Sequence, residues 1–152
     1  MTKTRYEELQ DLTNNYGKET MIFYRKVKDI GPKIISEYIA YLGGPKSAAN
    51  AVPPDGNFEP RGCYCGKAFD SHGQGTIYLD PIRMGVCTEI GNTSDRGATW
   101  VRTVLKFNPS GEGLRLTVGN RERQFHIGAD PSNVIPEICE AIYQDAREAF
   151  SI

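Results

Sequence analysis

At 152 residues the chain has the size of one ordinary domain and can bury roughly 70% of its unfolded surface, so a core needs no metal or disulfide staple. Hydrophobic residues make up 39%, on the low side, and charged residues 24%, ordinary for a globular protein, a balance that points to a soluble domain with some extended polar loops. The formal net charge of −1 excludes a global basic field for nucleic acid or an anionic membrane, so any anion-binding role must rest on a local patch.

The first residues, MTKTRYEELQDL, contain no apolar stretch of signal-peptide length, and the cluster Met21–Tyr24 is too short to span a bilayer. The expectation is a cytoplasmic chain without membrane contact. Four cysteines, Cys63, Cys65, Cys87 and Cys139, are too few for a disulfide framework.

Thr4-Arg5-Tyr6-Glu7 forms a capping box that opens a helix. Tyr6, Leu9, Leu12 and Tyr16 then share one helical face, and Phe23, Tyr24, Val27 and Ile30 continue the spacing. Gly17 weakens or ends the first helix. Gly31-Pro32 reads as a break, with Pro32 in the first turn of a new helix that carries Ile34, Ile35, Tyr38, Ile39 and Leu42 and ends at Gly43-Gly44. Residues 43–62 are rich in Gly, Pro, Ala and Asn and read as one long loop, a feature usually functional or mobile in a compact domain.

Strands are predicted over Thr76–Leu79, Arg83–Ile90, Thr99–Phe107, Gly113–Val118 and Arg123–Ile127, with a further short one in Cys63–Phe69. The intervening Asp80-Pro81, Asn92–Gly97, Asn108–Gly111 and Gly119-Asn120 segments carry turn chemistry. Short connections favour an antiparallel meander. Asp130-Pro131 caps a final helix whose buried face is Val134, Ile135, Ile138, Ala141, Ile142 and Ala149. The predicted fold is α+β: N-terminal helices over residues 1–42, the 43–62 loop, an antiparallel sheet of about five strands, and a C-terminal amphipathic helix on one sheet face. All of it is read as one domain over 1–152.

Strict alternation divides the strands into two faces. Met84, Val86 and Ile90, then Val101, Thr103, Leu105 and Phe107, then Leu114, Leu116 and Val118 form the inward set. Arg83, Cys87 and Glu89 oppose them, as do Trp100, Arg102, Val104 and Lys106, and Arg115 and Thr117. The outer face therefore gathers Tyr78, Arg83, Trp100, Arg102, Lys106 and Arg115. Arginine offers planar donors to carboxylate or phosphate, and tryptophan and tyrosine with arginine are typical of protein interfaces. A solvated antiparallel face has the same composition, and the N-terminal helices could equally cover it.

The chemistry-bearing cluster is Cys63-Tyr64-Cys65 with Asp70 and His72. Cys63, Cys65, His72 and Cys87 have the residue types for a zinc site, but Cys-x-Cys lacks the usual two-residue spacing and no second pair follows. Cys65 with His72, oriented by Asp70, has the types for a thiolate mechanism, beside glycines that serve a turn equally well. Gly43-Gly44-Pro45-Lys46-Ser47 lacks the spacing and the preceding strand of a phosphate loop. Asp80, Glu89 and Lys106 have residue types for a metal-dependent nuclease but sit in a turn and on ordinary outward positions. The leading expectation is a non-catalytic binding or regulatory protein without cofactor. It would recognise a protein partner or an anionic ligand through the outer sheet face and the 43–62 loop, with homodimerisation open and nucleic acid not favoured by net charge. A cysteine-dependent hydrolase or transferase using Cys65 and His72 is the alternative.

Overall fold

The computed structural model describes residues 2–59, 62, 64, 68–70, 81–91, 99–111 and 113–151, the side chain of Asp70 excepted. Helix α1 runs unbroken over Arg5–Leu42. Thr4 caps it as the sequence requires: its hydroxyl oxygen accepts from the Glu7 N–H at 3.2 Å and its O–H donates to the Glu7 carboxylate at 3.0 Å. Gly43, at φ 71°, closes the other end, donating its N–H to Ala40 O.

The break expected at Gly31-Pro32 is absent, and Pro32 lies inside the helix. Tertiary packing overrides the local penalty of a mid-helix proline. Phe23, Val27, Ile30, Ile34 and Tyr38 form one continuous buried seam across the proline. Gly31 belongs to that seam: a Cβ there would come within 2.6 Å of the Phe69 ring, so the glycine serves close helix–strand approach.

A 3-10 turn over Lys46–Ala48 leads into strand β1, Ala49–Val52. This strand lies within the segment expected to be a structureless loop. Its alanines carry little strand propensity, and its pairing with β3 supplies the ladder. The remaining strands are β2 (Phe69–Asp70), β3 (Ile82–Ile90), β4 (Thr99–Ser110), β5 (Gly113–Val118) and β6 (Arg123–Ile127). Their order is β1-β3-β4-β5-β6, all antiparallel, with β2 also paired to β3. Asn108-Pro109-Ser110, expected to turn, instead extends β4, because Pro109 and Ser110 pair with Leu114 and Gly113. The strand expected over Thr76–Leu79 lies outside the described residues.

Asp130 caps a 3-10 turn at Pro131–Asn133, and helix α2 follows over Ile135–Phe150. Its buried face is Ile135, Ile138, Cys139, Ala141, Ile142 and Ala146. Ala149, expected inside, is exposed, since the last turn, including Phe150, stands clear of the core. The inward residues of β3–β6 share one core with α1 and α2. Both helices thus cover the same sheet face. Polar contacts tie the layers: the buried Tyr38 and Thr88 hydroxyls lie 2.8 Å apart, and the half-buried Asp145 of α2 accepts from the Thr103 hydroxyl at 2.7 Å and the Asn120 N–H at 2.9 Å.

Candidate functional site

Because α1 and α2 lie on the inner face, neither covers the outer one. Strand register assembles that face. Arg83 pairs with Lys106, Cys87 with Arg102 and Glu89 with Trp100. Lys106 continues to Thr117 and Gln124, and Asn108 continues to Arg115 and His126. Of the residues expected on this face, Arg83, Trp100, Arg102, Lys106 and Arg115 are brought together. Tyr78 lies outside the described residues.

The face has two halves. Over β3 and the start of β4, residues 53–59 fold back as a strap. Arg102 donates from one guanidinium nitrogen to the carbonyls of Pro53 (3.1 Å) and Gly56 (3.0 Å), and its guanidinium lies over the Phe58 ring at 4.7 Å. Phe58 meets Trp100 edge to face, with centroids 4.7 Å apart and rings inclined by 71°. Arg83 pairs with Asp55 at 2.8 Å. Gly85 makes the fit possible, since a Cβ there would sit 2.8 Å from the Pro53 carbonyl and 2.9 Å from the Arg102 side chain. The strap therefore engages Arg83, Trp100 and Arg102.

The other half, over the far part of β4 and over β5 and β6, is uncovered by any described segment. Lys106, Arg115 and His126 are exposed there, and the described outward strand positions around them include no acid. At the end of the sheet, where α1 passes β5 and β6, a cavity of about 1000 Å³ opens. Its floor is Ile30, Leu114 and Ile127; Lys26, Lys33 and His126 line it, with Asp29 as an acidic member. His126 belongs to both the face and the cavity. His126 is not among the residues that the sequence reading gathers on this face. Its parity with Arg115 across the Gly119-Asn120 turn was the available signal, as was the seven-residue spacing that puts Lys26 and Lys33 on one side of a helix.

Cys63, Cys65 and His72 lie outside the described residues, as does the Asp70 side chain. Cys87 is 1% exposed, and burial, with Glu89 adding to it, pushes its thiol up to about 11. Cys139 is equally enclosed, and burial followed by Glu37 pushes it up to about 11. Both are packing residues held as neutral thiols. Among the described residues, no three His, Cys, Asp or Glu side chains gather to hold a metal ion, and no helix is long and apolar enough to cross a membrane.

No family model, no curated protein and no solved structure matches this chain.

Proposed function

We propose that this is a non-catalytic binding protein whose partner is an acidic protein surface seated on the open half of the outer face. The observation that carries the reading is the adjacency of Lys106, Arg115 and His126 on neighbouring strands without an acid on the described strand positions around them. Exposed cations such as Lys106 and Arg115 hold a small anion weakly, because each exposed pair contributes about 0–1 kcal/mol. A flat face instead suits a macromolecule that makes several such contacts at once and is steered by them. The neighbouring cavity supports the same reading. An apolar floor edged by Lys26 and Lys33, with Asp29 between them, accommodates one apolar anchor residue of an otherwise acidic partner, the usual anatomy of an interface hot spot.

Selection of displayed random peptides on the immobilised chain tests this. Selected peptides are expected to be rich in Asp and Glu around an apolar residue. They should weaken as salt rises and lose at least tenfold in affinity against Lys106→Glu/Arg115→Glu, as removal of two to four rim contacts implies. Peptides without acidic enrichment, or with equal affinity for a folded double variant, would overturn the reading.

A further inference from the structure

Helix α1 is longer than the body it packs on. Its buried seam begins at Thr20, and every residue from Arg5 to Asn15 is exposed. The apolar positions nevertheless continue through that projecting segment. Tyr6 is 70% exposed, Leu9 61% and Leu12 64%. Tyr6, Leu9, Thr13 and Tyr16 keep the alternating three- and four-residue spacing that runs on into buried Thr20, Phe23, Val27, Ile30 and Ile34. The segment also holds Thr13-Asn14-Asn15 and Gly17, poor helix formers, so an isolated helix of this length is marginal. Something outside the described fold of a single copy is needed to bury the seam.

We infer that the occupant is a second copy of this chain, with the two projecting helices packed antiparallel as a short coiled coil. The stretch from Arg5 to the half-buried Tyr16 is self-complementary in that orientation. Tyr6 falls opposite Tyr16 of the other copy and Leu9 opposite Thr13, in both directions, and the flanking Leu12 side chains meet near the two-fold axis. Charge agrees: the same register sets Arg5 beside Glu19 of the other copy, twice per dimer. The Lys3–Asp11 ion pair lies on the outside of the helix in this register and does not compete. A parallel pair fails. It would set Arg5 beside the neutral Gln10 of the other copy instead of an acid, and it would bring the two bodies together where the seam is already taken by the sheet. The antiparallel pair sends the bodies to opposite ends of a helix segment about 20 Å long. Burying Tyr6, Leu9, Leu12 and Tyr16 from both copies removes on the order of 1,000 Å² of surface, the low end for a specific interface. A reversible dimer follows.

Sedimentation equilibrium of the full chain across a concentration series tests the inference. The expected result is a reversible shift from 16.9 kDa to twice that mass. Leu9→Asp/Leu12→Asp, at exposed positions, should leave a monomer whose sheet and α2 still melt cooperatively. Arg5→Glu should weaken the dimer several-fold, and Arg5→Glu/Glu19→Arg should restore it, because the swap rebuilds both ion pairs. The inference is overturned if the wild type stays monomeric at roughly 100 μM, if Leu9→Asp/Leu12→Asp leaves the dimer intact, or if the charge swap fails to restore it. None of these outcomes bears on acidic-peptide binding at Lys106 and Arg115, which lie on the opposite sheet face.

Discussion

Replacing Arg102 with alanine should release the strap and leave the rest of the fold standing. Arg102 supplies two charge-assisted hydrogen bonds and one ring contact to residues 53–58. The bond to Pro53 is partly buried and worth about 1 kcal/mol; the bond to Gly56 is exposed and worth about half of that. The guanidinium–Phe58 contact adds ~0.5 kcal/mol at a partly solvated site. The sum, about 2 kcal/mol, raises the open population of the strap roughly thirtyfold. The chain's one tryptophan, Trp100, reports the event directly because Phe58 packs against it. Arg102→Ala should shift Trp100 emission to the red, raise its quenching by acrylamide, and speed amide exchange over Gly56–Glu59, while the far-UV spectrum stays unchanged. Gly85→Ala should act in the same direction from the strand side, since its Cβ would collide with the Pro53 carbonyl. Arg102→Lys keeps the charge without the planar fork and should fall between. If Trp100 quenching and Gly56–Glu59 exchange in Arg102→Ala both match the wild type, Arg102 does not hold the strap.

Two further expectations concern the core. Tyr38→Phe leaves the buried Thr88 hydroxyl without its partner and should cost about 1–3 kcal/mol in urea unfolding near neutral pH; a smaller loss than 0.5 kcal/mol would contradict the role of that bond. The same residue sets an alkaline limit. Burial pushes the Tyr38 phenol up to about 12 from 10, so the folded state holds its proton more tightly. That contribution is complete below pH 10 and falls as pH rises toward 12, by about 1.4 kcal/mol per unit. The wild type should lose stability with that extra slope relative to Tyr38→Phe, and parallel curves from pH 9 to 11.5 would refute it. At Gly113, alanine would ordinarily strengthen a strand. Its Cβ would strike the Ile127 carbonyl of the paired strand, however, so Gly113→Ala should cost about 1–3 kcal/mol by forcing β5 and β6 apart, and a variant as stable as the wild type would refute this.

The parts of the fold legible in the sequence are those governed by local geometry. The alternation along Arg83–Ile90, Thr99–Phe107 and Gly113–Val118 has the period of the pleat, so the faces of β3, β4 and β5 follow from side-chain order. Thr4 and Gly43 mark the ends of α1 because only certain residues satisfy terminal N–H and C=O groups. The same local reasoning misread Gly31-Pro32, because the intrinsic cost of proline was outweighed by a seam from Phe23 to Tyr38 that no local window contains. It also missed β1, whose Ala49-Asn50-Ala51-Val52 run becomes a strand only against β3, more than thirty residues on.

The sequence by itself determined that the chain alternates into an apolar and a basic-aromatic sheet face, and that amphipathic N-terminal helical segments and a capped C-terminal helix accompany it. Tertiary structure alone decided that α1 joins α2 on the apolar face, and what covers the other. Both helices chose the apolar one, since burying it against α1 and α2 removes the most hydrocarbon from water. The basic-aromatic face was then divided by contacts between residues far apart in the chain: Arg102 with Pro53 and Gly56, Arg83 with Asp55, Phe58 with Trp100. Such pairs are set by where the backbone returns in space. Residue periodicity carries no record of it, so only the folded chain separates the arginines spent on its own strap from the cations left facing solvent.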